Sequence, residues 1–212
     1  MIGYTANMDY ILNYQFNTDI SPVFQSQIYP LLHDKSVLDM GCGKGDYLQS
    51  FGKNSLGLDI SPQNIKQAST KLHPIKQADL NNPPVLKQKF EAIFLSHVLE
   101  HVDSPINLLR YANKQLKTDG TIVVAVPNEL SIIHMVYPYY TQNGNHLYNF
   151  TIANMQELLL TTGFTQPQIY FDYYTNLTSK LHLNSLLSFV DYCPQPFKSR
   201  IAWAHWFVST KI

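Results

Sequence analysis

Three glycines set at the end of a short apolar run constrain this chain more than anything else in it. Gly41, Gly43 and Gly45 fall within five residues, directly after Val37-Leu38-Asp39-Met40. An apolar run of this length, cut off by glycines, reads as a buried strand. Glycine lets the backbone turn sharply there and approach a ligand with no Cβ in between. In an open α/β sheet the carboxyl end of the first strand is where nucleotide-like ligands bind.

The alternation such a sheet needs continues down the chain. Ser36 to Met40 predicts a first strand, Leu56 to Ile60 a second, Ile75 to Leu80 a third and Phe90 to Ser96 a fourth. Ser61-Pro62 and Ser104-Pro105 each open a helix, with Ser at the N-cap and Pro at the first helical position. The second of these keeps Ile106, Leu109 and Leu116 at helical spacing and is ended by Asp119-Gly120, after which Thr121 to Val126 is the most β-prone run in the chain. Thr151 to Thr162 predicts a helix closed by Gly163. Phe164 to Tyr174 and Ala202 to Ile212 predict the last two strands, with an apolar, helical stretch from Leu177 to Val190 between them. Strands apolar on both faces, alternating with helices, imply a doubly wound, mostly parallel α/β sheet with helices on both faces. Residues 1–35 predict an N-terminal helical segment packed on the main body. Residues 36–212 predict one Rossmann-like domain with insertions at 129–150 and 175–199.

Charge narrows the partners. Fifteen Lys and Arg balance fifteen Asp and Glu, for a formal net charge of zero, and no dense basic cluster occurs. Nucleic-acid binders carry a basic excess to neutralise phosphates, so nucleic acid is not expected as a partner. Two cysteines, Cys42 and Cys193, exclude a disulfide framework and a cysteine-based metal site. The first ten residues show no signal-peptide pattern, and no apolar run approaches the ~18 residues of a membrane span, which makes a cytoplasmic protein with a small-molecule substrate the expectation. The number of subunits is left open.

The glycine loop reads G-x-G-x-G, with Asp46 where the dinucleotide fingerprint G-x-G-x-x-G places its last glycine. A carboxylate at the start of the following helix would repel a pyrophosphate, whereas S-adenosylmethionine carries a sulfonium and an ammonium and no phosphate. Asp59 ends the second strand, placed to accept both ribose hydroxyls, and Asp79 ends the third, placed to accept from an adenine amino group. With Asp39, four carboxylates surround one site.

In order and spacing, Val37 to Gly45, Leu58 to Pro62, Ala78-Asp79-Leu80, Phe90 to His101 and Gly120 to Asn128 resemble the class I S-adenosylmethionine-dependent methyltransferases, and within them the small-molecule group that includes the ubiquinone-pathway O-methyltransferases. The resemblance covers about residues 36–128, with an echo at His146, Phe150-Thr151 and Gly163-Phe164. It implies a seven-stranded sheet of order 3-2-1-4-5-7-6 whose last strand is antiparallel. It also implies that Asp39, Gly41, Gly43, Gly45, Asp59, Ile60, Asp79, Leu80 and Ser96 hold S-adenosylmethionine. The expected reaction is methyl transfer to a small, partly apolar acceptor, with O-methylation favoured and His97 or His146 as general base. His134, in the same aromatic stretch 132–150, is a further candidate base, and the stretch itself a candidate wall of the acceptor pocket.

His97-Val98-Leu99-Glu100-His101 spells H-x-x-E-H, but a zinc-protease reading needs a helix, and this run begins where a strand is ending. Some ubiquinone-type relatives place a metal near this segment, where His97, Glu100 and His101 stand; the residues themselves assign no metal ligands. The alternatives are a non-catalytic module that binds S-adenosylmethionine and, against Asp46, a nicotinamide-linked oxidoreductase.

Overall fold

The computed structural model describes residues 20–68, 72–132, 146–173, 190 and 192–212. In chain order they form α1 (Tyr29–Leu32), β1 (Val37–Met40), β2 (Leu56–Asp59), α2 (Pro62–Lys66), β3 (Ile75–Gln77), β4 (Phe90–Ser96), α3 (Pro105–Gln115), β5 (Leu116–Pro127), α4 (Ile152–Thr161), β6 (Gln168–Asp172), α5 (Gln195–Ile201) and β7 (Ala204–Thr210). The strands make one seven-stranded sheet in the order β3-β2-β1-β4-β5-β7-β6, as the resemblance implies. β1 to β5 pair in parallel, and β7 runs antiparallel to both β5 and β6. The nicotinamide alternative shares the sheet type but not this order.

The two-residue period of the strands sorts the core onto two faces. Leu38, Met40, Ile93, Leu95, Ile122 and Val124 share one cluster with Leu108, Leu109 and Ala112 of α3 and Met155 and Leu159 of α4. Val37, Ala92, Phe94, Val123, Ala125 and Trp206 point the other way, onto Phe24, Ile28 and Leu32. Those three are spaced four apart along a helical turn, Phe24–Ile28, that runs into α1, so the described part of the N-terminal segment supplies the second cover.

The caps form where local chemistry puts them. Ser61, Ser104 and Thr151 each accept, through the side-chain oxygen, from the backbone N–H three residues on. Gly163 takes φ +89° past the end of α4.

Four boundaries differ from expectation. α3 ends at Gln115, and β5 begins at Leu116 rather than Thr121. Asp119 and Gly120 belong to a bulge: Phe90 pairs with Leu116 but Ala92 with Thr121, and the extra residues 117–119 stand exposed. The signal read as a helix stop is therefore a strand irregularity. No α-helix follows the glycine loop; turns lead to a single 3-10 turn, Leu48–Ser50. β3 stops at Gln77, two residues short of Asp79. β6 is shorter than Phe164 to Tyr174, with Phe164 making an isolated bridge to Lys211. The expected helix over Leu177–Val190, the aromatic positions from Ile133 to Tyr140 and His134 lie outside the described residues, Val190 excepted. Among the described residues no helix is long and apolar enough to cross a membrane.

Candidate functional site

The glycine loop sits at the carboxyl edge of β1 and is held from β2. Leu58 O accepts from both Gly41 N (2.7 Å) and Cys42 N (3.0 Å), and Cys42 O accepts from Gly45 N (2.9 Å). Gly41, Gly43 and Gly45 all take left-handed φ, at +80°, +55° and +82°. Gly41 is also a packing requirement, since a Cβ there would lie 2.4 Å from Val98 Cγ2. A Cβ on Gly43 would meet no atom within 4 Å, so this glycine borders open space. Cys42 is half-buried, and burial followed by the charges of Asp39 and Asp59 pushes its thiol pKa up, away from a reactive thiolate.

Asp59 braces the loop. Its Oδ2 accepts from Gly43 N (2.8 Å), and its Oδ1 accepts from Ser61 N (2.9 Å) and Asn64 Nδ2 (3.3 Å). One carboxylate thus ties the loop to the start of α2. Asp39, one strand over, is buried with Oδ2 lacking a hydrogen-bond partner. Burial first, and then the charge of Asp59, hold its pKa well above the usual carboxylate range.

Asp79 is exposed in the turn after β3, and its Oδ1 accepts from Asn81 N (2.9 Å). The backbone ties it to the site: Asp59 O accepts from Ala78 N (2.9 Å). Leu80 is half-buried against the main core, and Ile60, half-buried, accepts from Gln77 Nε2 through its carbonyl (3.3 Å). Ser96 closes β4 opposite Ala125. Asp46 follows the loop in a turn, so no helix N-terminus exists for it to occupy, and the expected repulsion through a helix dipole is withdrawn. What the loop offers is backbone in left-handed conformation with a carboxylate behind it.

A second cluster lies past the end of β4. His97 takes φ +55°, a strained conformation for a residue with a side chain, and donates from its backbone N to Ala125 O (3.0 Å). Its Nδ1 lies 3.4 Å from Glu100 Oε1, and His101 Nε2 lies 4.0 Å from the same oxygen. Neither distance makes a hydrogen bond of good geometry, and both carboxylate oxygens of fully buried Glu100 lack a hydrogen-bond partner. Burial pushes the Glu100 carboxyl up, but the two histidine rings outweigh it and hold it below its usual range.

His146 is brought in from 45 positions further along the chain than His101. Leu147 N donates to Glu100 O (2.7 Å), the His101 and His146 rings sit 4.9 Å apart, and His146 Nδ1 pairs with Glu129 Oε1. Glu100, His101 and His146 each offer a ligand atom within 4.8 Å of the others, a set whose chemistry suits a divalent cation. The sequence reading names Glu100 and His101 beside His97 but misses their partnership with His146 and Glu129. That contact spans a long loop, and no local pattern announces it.

Comparison with known proteins bears on the family and the fold. A family profile described as a methyltransferase domain matches residues 15–168. A tRNA U34 carboxymethyltransferase of Aliarcobacter butzleri is 26% identical over 174 residues, covering 73% of this chain and 57% of that protein. One of Shewanella baltica is 33% identical over 106 residues, covering 44% of this chain and 31% of that protein. The matches thus span between 31% and 57% of the length of these relatives. An S-adenosylmethionine-dependent methyltransferase structure from Mesorhizobium loti superposes with TM-score 0.65 at 15% identity, covering 85% of this chain and 92% of that one.

Proposed function

The chain belongs to the methyltransferase-domain family, enzymes that use S-adenosylmethionine, and from that premise we propose that it transfers the methyl group to a hydroxyl of a small, partly apolar acceptor. The cofactor would lie with its methionine end on Gly41, Gly43 and Gly45, its ribose toward Asp59 and its adenine toward Asp79, Leu80 and Ile60. The observation that carries this placement is the loop itself: three left-handed glycines, braced through Gly43 N by a carboxylate, with open space over Gly43. Asp39 supports a cationic ligand, because a buried carboxylate with an oxygen lacking a partner gains most from a positive charge brought near it.

Methyl transfer is an in-line displacement in which the acceptor oxygen attacks the methyl carbon and the sulfur leaves as a thioether. Holding the two partners in line supplies several kcal/mol of the barrier. A hydroxyl acceptor must also lose its proton, and His97 and His146 are the candidate bases. Glu129 holds the Nδ1 of His146, which leaves Nε2 to take a proton. A divalent cation on Glu100, His101 and His146 would take that same nitrogen, so it would act as a Lewis acid toward the acceptor oxygen in place of a His146 base and leave His97 as the proton acceptor.

A second reading takes tRNA as the acceptor, after the names of the curated relatives. A formal net charge of zero gives it no general attraction for phosphates, which favours the small molecule. The test is methyl transfer from labelled S-adenosylmethionine to a panel of small phenols and hydroxy acids beside bulk tRNA. Label in a small acceptor, reduced by roughly 10²-fold or more in His97→Ala or His146→Ala, is the expected result; label in tRNA alone overturns the small-acceptor reading.

A further inference from the structure

Glu100 lies in the 3-10 turn Leu99–His101 that follows β4, and it is fully buried. A buried carboxylate is costly unless a cation or a full set of hydrogen bonds compensates it. Neither of its oxygens has a hydrogen-bond partner. Imidazole surrounds it instead: His101 Nε2 lies 4.0 Å from Oε1, and one nitrogen of His146 falls within 4.8 Å of the ligand atoms of both Glu100 and His101. The group can be reached from outside, because the side chains of His101 and His146 are 23% and 16% exposed.

The segment that brings in His146 is docked by hydrogen bonds of its own. Leu147 N donates to Glu100 O (2.7 Å), and the Tyr148 hydroxyl donates to Asp103 O (2.7 Å), so residues 146–148 run beside residues 100–103. Glu129 accepts from His146 Nδ1, which fixes the tautomer and leaves Nε2 as the nitrogen for a ligand. A carboxylate behind a ligating imidazole is a recurring support of metal sites. Bonds of about 2.0–2.2 Å hold tetrahedral nitrogen and oxygen ligands roughly 3.4 Å apart, so these side chains need to close by little more than about 1 Å. Two imidazoles with one carboxylate suit first-row transition ions such as Zn²⁺, Mn²⁺ or Co²⁺, whereas Mg²⁺ and Ca²⁺ take oxygen ligands. His97 belongs to the H-x-x-E-H run but not to this set.

We propose that Glu100, His101 and His146 bind one divalent transition-metal ion, that Glu129 is the positioning residue for His146, and that the site fastens the segment from His146 onward to the end of β4. The ligand set thus joins two distant segments instead of following the H-x-x-E-H run. Three protein ligands leave a position for a further oxygen. The use of the ion in methyl transfer rests on the small-acceptor reading above; its binding does not.

The probe is Co²⁺, titrated into the chelator-treated full chain and followed by its visible absorption, with Zn²⁺ and Mg²⁺ as competitors. One Co²⁺ binds per chain, Zn²⁺ displaces it, and Mg²⁺ at the same concentration does not. His146→Ala removes the binding, Glu129→Gln weakens it roughly 10–100-fold, and His97→Ala leaves the affinity as it was. Zn²⁺ raises the melting temperature of the native chain and not that of His146→Ala. Glu129→Gln keeps all three ligands, so it still reports on the site if His146→Ala fails to fold. The proposal is overturned if Co²⁺ does not bind, if it binds His146→Ala or Glu129→Gln as tightly as the native chain, or if His97→Ala removes it, which would return the ligands to the H-x-x-E-H run. Co²⁺ bound by these residues with no label in any small acceptor would fail the acceptor reading and leave the metal site standing.

Discussion

The two ends of the sheet's carboxyl edge are built in opposite ways. At β1 and β2 the backbone is closed on itself: Leu58 O holds Gly41 and Cys42, and Asp59 accepts three hydrogen bonds. At β5 and β7 a buried imidazole lacks hydrogen-bond partners, and exposed Arg200 borders a cavity whose lining, among the described residues, holds no acidic side chain. The first arrangement fixes the shape that a cofactor meets. The second leaves both His205 ring nitrogens without a hydrogen bond inside the fold. A native fold tolerates an unsatisfied buried group mainly where function needs it. Asp39 Oδ2 is the same kind of group in the first region, beside the cationic ligand proposed there.

Breaking the closed region has the largest effect. Gly41→Ala combines a left-handed residue with a clash on Val98, and urea denaturation should show a loss of about 2–5 kcal/mol. Gly43→Ala has the strain without the clash, so its stability loss stays near 1 kcal/mol while cofactor binding falls, because the new methyl occupies the open space. Equal losses from both would mean the loop is not shaped around a ligand at Gly43.

The open region responds the other way. His205→Phe removes two unsatisfied nitrogens from a wall already made of Phe171 and Phe207, and should stabilise the ligand-free protein by about 1 kcal/mol at neutral pH. The pH dependence follows from the same burial. His205 has its pKa lowered to about 4, against 6.5 when unfolded, so the unfolded chain takes up the proton first. Its stability contribution is complete above about pH 6.5 and is lost as pH falls toward 4. In His205→Phe that part of the slope should vanish from thermal melts taken between pH 4 and 7; an unchanged slope would show that the ring is not held neutral.

The smallest effect lies outside both regions. Asp119 sits at φ +57° in the β5 bulge, and Asp119→Gly should raise stability by about half a kcal/mol in the same denaturation assay. A loss instead would give the Asp119 side chain a role of its own.

What the sequence made legible follows this division. Ser61-Pro62, Ser104-Pro105, Thr151 and Gly163 announce helix ends because each acts on backbone groups a few residues away. The strands themselves follow from apolar runs, and their order from the family resemblance. Asp59 is legible because it stands at a fixed distance from the glycines. Asp119-Gly120 misled because a left-handed residue and a glycine serve a bulge as readily as a helix end. Asp46 misled because the turn after the loop does not continue as an α-helix. His205 reads as an ordinary strand position, and the meeting of His146 with Glu100, His101 and Glu129 needs a chain reversal that no local spacing records. The shared cofactor region is written locally, and the acceptor region is written in contacts between distant segments.

The central claim is that the loop of Gly41, Gly43 and Gly45, braced by Asp59, binds S-adenosylmethionine. Calorimetric titration of S-adenosylhomocysteine into the native protein and Asp59→Ala tests it directly. One-to-one binding to the native chain, weakened roughly tenfold or more in the variant, is the predicted result. Absence of binding to the native chain, or equal affinity in both proteins, would contradict it.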